Sequence, residues 1–398
     1  MLKRYDPKII AVTGSVGKTS MKEALYAAFQ CREHARCTRA NFNNELGVPL
    51  TILSDCEEIQ KPVWWFWIRV CAYALYRIVI RVPSKYPTTL VLEYGADRPG
   101  DITYLTSIAR PDIAVISAVG DIPVHIEFYT GGVTSLVKEK AKLVQALPAR
   151  GIAIINADDP HEGVLRAMAK GTVYTYGQKD TADMVITHIH HLITRNKIQG
   201  ITFKVRYEGS EVPVIIQGVF SIAHAYAIAG AALAACKATD CHLIEILNSI
   251  VKEYRPVTGR SLILEGIKHT QIIDESYNSS PLALQTALQT MQLVAGARRV
   301  AVLGDMLELG TYTMQAHEQA GTLAAQSVDV LITVGTRAKL IAEKAIAYGM
   351  YVSAVHSFDT VKEAGLKLQE IMKAGDVVLI KGSHSIGLEK VVEEVRQP

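Results

Sequence analysis

IIAVTGSVGKTSMKEALYAAF, residues 9–29, reads as three pieces in succession. The first is an apolar run of strand length, the second a turn carrying Gly14 and Gly17, and the third a helix-period segment from Met21. A polar helix start directly after a strand and a glycine turn is a place where backbone amides and the helix N-terminus can wrap a triphosphate. There Lys18 reaches the outer phosphates and the Thr19 hydroxyl can ligate Mg²⁺. The common G-x-x-x-x-G-K-[ST] pattern is not fully met, since Val12 occupies the position of its first glycine.

Outward from this stretch, TTLVLEYG, PDIAVISAVG and GIAIINA alternate with longer helical segments such as SIAHAYAIAGAALAAC. Such alternation predicts a mostly parallel sheet covered by helices. From about Thr187 to Glu211 the residues alternate every second position, which predicts a small antiparallel excursion. After Pro256 the logic repeats in TQIIDES, RRVAVLGD, DVLITVG, MYVSAVHS and DVVLIKGS. The expected boundary lies in YRPVTGR near Val257, giving an ATP-binding domain over 1–256 and a smaller Rossmann-like domain over 257–398.

The 398 residues exceed what one core usually supports, in line with two domains. With 42 basic and 39 acidic residues the net charge is only +3, which argues against a nucleic-acid partner. The six cysteines form no C-x-x-C pair, so a zinc ribbon or disulfide framework is not expected. No apolar core of signal-peptide length opens the chain, and a reduced, cytoplasmic protein is expected.

Further segments, in order, are NFNNELGVPLTIL (41–53), LEYGADRPGDI (92–102), EKAKL (139–143), INADDP (155–160), DESYNSSP (274–281), VAVLGDMLELG (300–310) with His317 beyond, and KGSHSIGLE (381–389). Together with the loop, this ordered set resembles the Mur ligases, closest to the branch that adds D-alanyl-D-alanine to a cell-wall peptide precursor. The resemblance runs from Thr13 to the C-terminal end. It implies a central P-loop α/β domain with a Rossmann-like C-terminal domain, and an ATP-dependent amide-forming ligase acting through an acyl phosphate in peptidoglycan synthesis. The alternatives are a related ligase of folylpolyglutamate or peptide-polymer type, and a non-catalytic ATP-binding scaffold.

By the same resemblance Gly14, Ser15, Val16, Gly17, Lys18, Thr19 and Ser20 hold ATP phosphates, and Lys18, Glu93, His125 and Lys140 are catalytic. Two Mg²⁺ ions would be held by Thr19, Glu93, His125 and Lys140. Lys140 matches the lysine that carries a CO₂-derived carbamate, with Lys138 and Lys142 as the neighbouring registers. Arg260 would contact phosphate and Glu275 the ribose, with Asp274 as the alternative and Asn278 beside them. His224, in FSIAHA, stands where the family has an adenine-reading Asn. Asn43, Asn44, Tyr277, Lys381 and Ser383 are expected to face a muropeptide-like carboxylate and a D-alanyl-D-alanine-like amine.

Two departures accompany the resemblance. Mur ligases carry an N-terminal domain that grips a uridine nucleotide, whereas here the loop comes within the first fifteen residues, so that domain is expected to be lacking. The second is VWWFWIRVCAYALYRIVIRV, residues 63–82, with all three tryptophans of the chain. Arg69, Arg77 and Arg81 are expected on roughly one face of an amphipathic helix. It packs on the protein or in a self-association interface, or it makes peripheral membrane contact that would suit a lipid-linked substrate.

Overall fold

The computed structural model of the chain describes residues 1–31, 33–39, 42–56, 58–80, 86–195, 197–294 and 296–397. A one-turn helix α1 (Leu2–Tyr5) precedes β1 (Lys8–Thr13), which feeds α2 (Lys18–Phe29). Then come β2 (Ala35–Cys37), α3 (Gly47–Leu53), α4 (Val63–Ile80), β3 (Thr89–Glu93), α5 (Asp101–Ile108) and β4 (Ile113–Ile116). After them run α6 (Gly132–Gln145), β5 (Ile152–Asn156), α7 (Glu162–Met168) and β6 (Thr172–Gly177). The strands β7 (Met184–Thr194), β8 (Lys197–Tyr207) and β9 (Ser210–Gln217) are followed by α8 (Ala223–Ala238) and α9 (Leu243–Glu253).

These strands form one sheet in the order β2-β3-β1-β4-β5-β6-β7-β8-β9, parallel as far as β7 and antiparallel beyond. Because both faces are covered, β4 and the central residues of β1 and β3 are apolar, as buried parallel strands must be, and polar residues stand only at the strand ends. α2, α8 and α9 pack on one face, and α5, α6 and α7 on the other. The antiparallel excursion is longer than the alternation suggested and continues the main sheet. Its register slips between Thr187 and His190 and again after Leu192, and each bulge breaks the period-two pattern from which its extent was read.

The second sheet is built from β10 (Leu262–Gly266), β11 (Thr270–Glu275), β12 (Arg299–Gly304), β13 (Val330–Val334), β14 (Val355–Phe358) and β15 (Val377–Lys381). Around them lie α10 (Pro281–Gln292), α11 (Thr313–Ser327), α12 (Lys339–Ala347), α13 (Val361–Ile371) and α14 (Glu389–Val395). The order is β10-β11-β15-β12-β13-β14, with only β10 antiparallel. In MYVSAVHS only the second half is strand, since residues 352–354 make a 3₁₀ turn. None of the six cysteines is joined in a disulfide.

The two sheets are tied together through backbone-like bonds. Phe220 N donates to Ser261 O and Ile263 N to Gly218 O, each at 2.9 Å. The buried Gln271 side chain reaches across from β11 to β8, accepting from Ile198 N at 2.8 Å and donating to Ile198 O at 2.9 Å. Its amide thus satisfies both polar groups of a buried residue in the other domain. Gln271→Ala is expected to lower the unfolding free energy by about 1–3 kcal/mol, and Gln271→Glu by more, because a carboxylate cannot donate to the Ile198 carbonyl. Urea denaturation checks this; a parent-like midpoint in both variants would remove the tie from the account.

Candidate functional site

β1 lies at the point where the strand order reverses, with β3 on one side and β4 on the other, and α/β sheets bind ligands at the carboxyl ends of strands there. The loop at that point, residues 14–17, is shaped by its two glycines. A Cβ on Gly14 would lie 2.1 Å from Ser117 Oγ, and Gly17 has φ +79° as it opens α2. The amides of Ser15 and Val16 both donate to Ala118 O, at 2.6 and 3.2 Å. These two residues line the cleft, but their N–H groups anchor the loop instead of facing a phosphate. The first bond within α2 runs from Met21 N to Gly17 O, so the amides of Lys18, Thr19 and Ser20 have no partner inside the helix. They form the positive end of its dipole.

Two amines meet at Gly14. Lys18 Nζ donates to the Gly14 carbonyl at 2.9 Å, and Lys140 Nζ, from α6, donates to the same oxygen at 3.0 Å. Burial pushes Lys18 below its usual range, opposed by Glu93 and reinforced by Arg260. Burial, followed by repulsion from Lys18, pushes Lys140 down to about 7. Of the three lysines in this stretch of α6, Lys140 is the buried one, while Lys142 pairs with Glu139 at 2.6 Å.

Glu93, at the end of β3, is buried. Its Oε1 accepts from Asn43 Nδ2 at 3.1 Å, while Oε2 is buried without a hydrogen-bond partner. Thr19 is buried in the first turn of α2. His125 adopts φ +67° and lies between Asp97 (3.3 Å from Nε2) and Glu308 (2.7 Å from Nδ1). Burial pushes its imidazole down to about 4, with Asp97 opposing and Lys18 and Lys140 reinforcing. Glu308 belongs to the loop after β12, so this contact joins the two domains.

From the second domain, Arg260 lies over the Tyr277 ring at 4.2 Å, and Tyr277 stacks on His384. Adjacent Asp274 and Glu275 face opposite ways, as neighbours on a strand do. Asp274 is spent inside the domain, accepting from Gly259 N, Ser276 N and Ser276 Oγ. Glu275 lines the cleft and pairs with Lys381 at 2.8 Å, so of the two carboxylates Glu275 is the one open to a ligand. Asn278 also lines the cleft, and its carbonyl accepts from Lys381 Nζ.

Other expected residues are occupied structurally. His224 is fully enclosed, with Nδ1 on Tyr254 Oη at 2.6 Å and Nε2 on the Arg260 carbonyl at 3.2 Å, which leaves neither ring nitrogen for a base. Burial pushes it down to about 4. Asn44 Oδ1 accepts from Gly47 N and holds the start of α3, and Ser383 Oγ accepts from Leu307 N. Asn41 lies outside the described residues.

The sequence reading assigned no role to a second cavity of about 460 Å³ that adjoins Gly17 and is lined by Asn156, Asp158, Gln178, Tyr226 and Ala223. Asp97 and Glu308 were likewise passed over. Their signal was present, because Asn156 and Asp97 are polar residues at or just beyond the ends of β5 and β3. A third, open cleft of about 600 Å³ is bounded by Asn43, Asn44, Asp97, Arg98 and Tyr104. Free helix amides, two converging lysine amines and Arg260 suit a polyphosphate. A buried carboxylate oxygen without a hydrogen-bond partner suits a divalent cation. The residues therefore fit the nucleotide and metal that the motifs imply.

Residues 72–232 match the description Mur ligase middle domain, and residues 259–384 match Mur ligase, glutamate ligase domain. The UDP-N-acetylmuramoyl-tripeptide–D-alanyl-D-alanine ligase of Escherichia coli (strain K12) is 26% identical over 99% of this chain and 78% of its own length. The Bacillus subtilis (strain 168) ligase of the same name is 26% identical over 99% and 77%. Among solved structures, MurF ligase from Thermotoga maritima in complex with ADP superposes with a TM-score of 0.78 at 24% identity, covering 99% of this chain and 80% of that one. Both domain descriptions, in the order and positions of the two sheets, and relatives spanning nearly the whole chain lead to one conclusion: the chain belongs to the Mur ligase family.

Proposed function

We propose that the chain is an ATP-dependent ligase that joins D-alanyl-D-alanine to the terminal carboxylate of a muramoyl peptide in peptidoglycan synthesis. The observation that carries this reading is the pair of lysine amines, buried Lys140 and half-buried Lys18, on Gly14 O beside the unpartnered Oε2 of Glu93. A scaffold that only binds ATP has no use for Lys140 in that position. The relatives named above supply the substrate class through their names.

A carboxylate does not condense with an amine in water, because hydroxide is a poor leaving group. In the proposed reaction a carboxylate oxygen attacks the γ-phosphorus, ADP leaves, and the amine then attacks the acyl carbon. The P–O-linked phosphate departs from the tetrahedral intermediate as the nitrogen loses its proton. Lys18 neutralises charge on the transferring phosphoryl group, and the α2 amides and Arg260 hold the phosphates. Glu275 is the ribose acceptor, and the base occupies the cavity of Asn156 and Tyr226. Thr19, Glu93, His125 and Lys140, the last as a carbamate, would hold two Mg²⁺ ions, which supply charge neutralisation between carboxylate and triphosphate. The open cleft at Asn43 and Arg98 receives the donor peptide. Closure of the second domain over the first excludes water from the labile acyl phosphate.

Phosphate release assayed with UDP-N-acetylmuramoyl-tripeptide is expected to require D-alanyl-D-alanine and to respond weakly to glutamate. Glutamate-driven turnover would instead favour the folylpolyglutamate-like alternative. Lys18→Ala should lower turnover by about 10²–10³-fold, and near-parent turnover would show that this loop is not the phosphate site.

Lys140→Ala is expected to be inactive and partly restored by a short carboxylate in the buffer. A crystal structure with unmodified Lys140 remote from any metal, together with an active alanine variant, would sink the carbamate. In CO₂-free buffer the folded lysine near 7 binds fewer protons than the unfolded one at 10.5, so stability should rise with pH across that window. Denaturation midpoints should lose this slope in Lys140→Met; an unchanged slope would mean another group causes it.

A further inference from the structure

We propose that α4 seats the protein on a lipid surface, lying in the interfacial plane with its outer face among the acyl chains. The eighteen residues of α4 are long and apolar enough to cross a membrane, yet only 22% of the segment is buried against the protein. A core helix would be mostly covered. The covered part is one narrow stripe, Phe66, Val70, Ala74 and Arg77.

That stripe runs most of the helix's length and decides its attitude. Phe66 and Val70 pack on Leu50 of α3. Arg77, expected on one face with Arg69, is instead buried, with its guanidinium near the rings of Tyr5 and Tyr86 and Nη1 donating to Tyr73 Oη. Tyr5 Oη donates to the Arg77 carbonyl at 2.7 Å, which fastens the C-terminal half of the helix. A spanning helix would have to strip these contacts and carry Arg77 into hydrocarbon. The helix therefore lies along the domain, and Arg81 falls outside the described residues.

Opposite the stripe, Trp64, Ile68, Cys71, Leu75 and Val79 follow one line, with Trp64 at 65%, Leu75 at 62% and Val79 at 69% exposure. A second copy of the chain would cover such a line with a single helix, and the flanks of that seam would then be charged. Here the flanks are Trp65, Ala72, Tyr76 and Ile78, so the apolar band spans roughly 160° of the circumference with no charge inside it. Arg69 is exposed at its edge. A band of this width with tryptophan and tyrosine in it fits an interface in which every side of the outer face meets lipid. Through Leu50, α4 packs on α3, whose start is held by Asn44 at the open cleft, so that cleft lies one helix away from the surface. The inference does not depend on which amine the enzyme uses.

Because all three tryptophans lie in α4, tryptophan emission of the full chain, excited where tyrosine does not absorb, reports on this helix alone. Addition of phosphatidylcholine vesicles is expected to shift the emission to the blue, brominated acyl chains to quench it, and the protein to sediment with the vesicles. Phosphatidylglycerol should increase binding only a few-fold, since Arg69 is the single exposed arginine of the described helix. Replacing Trp64, Leu75 and Val79 by serine should reduce the bound fraction about tenfold or more while MgATP binding stays unchanged. These side chains are exposed, and unchanged circular dichroism verifies the fold; if the triple variant unfolds, Leu75→Glu alone takes its place. A parent chain that stays in the supernatant at low salt overturns the proposal. So does a lipid-free dimer, seen by light scattering, that Leu75→Glu dissociates without any vesicle binding in the parent. Blue-shifted emission that brominated chains fail to quench overturns it as well.

Discussion

Two lysine amines, buried Lys140 and half-buried Lys18, converge on one carbonyl oxygen, that of Gly14. A protein keeps such an arrangement only where a partner of opposite charge completes it, because a buried amine costs several kcal/mol when left without one. Other features of the site follow from this demand. Gly14 has to be glycine for β4 to approach. α2 aims its free amides into the same space, and Glu93 brings a carboxylate with one oxygen uncommitted. Arg260, from the other domain, adds a further positive charge that Lys18 feels across the cleft.

The second domain matters because Glu275, Asn278 and Lys381 complete a cleft whose other wall is the loop of the first. Gln271 and the bonds around Phe220 and Ser261 fix the angle between the sheets, while His125 and Glu308 bring their far edges together. Glu308 takes φ +62° to do so. A left-handed non-glycine residue is uncommon, and at a domain contact it marks a conformation that the site itself holds in place.

Much of this was legible in the sequence, and what was not has definable causes. The loop before α2 and Glu93 at the end of β3 lie where the sequence placed them, because a helix start and a strand end are local signals, whereas the burial of Lys140 among the lysines of α6 carried no local signal and was suggested only by the resemblance. The choice between Asp274 and Glu275 was not local: both are at the end of β11, and only pairing with β10 and β15 decides which faces the cleft. His224 was misread for the same reason, since its partners Tyr254 and Arg260 come from thirty or more residues away. By helical period alone Arg77 shared a face with Arg69 and Arg81. The aromatic cluster of Tyr5 and Tyr86, distant in sequence, turned it inward. The bulged strands β7 and β8 hid their own length, because a bulge breaks the alternation by which strands are read.

The central claim is that the nucleotide site is shared, with phosphate charge held between Lys18 of one domain and Arg260 of the other. Calorimetric titration of the chain and of Arg260→Ala with MgATP tests it most directly. The account requires one site per chain and an affinity loss of about tenfold or more in the variant, as expected for removing a charged hydrogen-bond donor. Parent-like affinity in Arg260→Ala would contradict it and confine the nucleotide to the first domain.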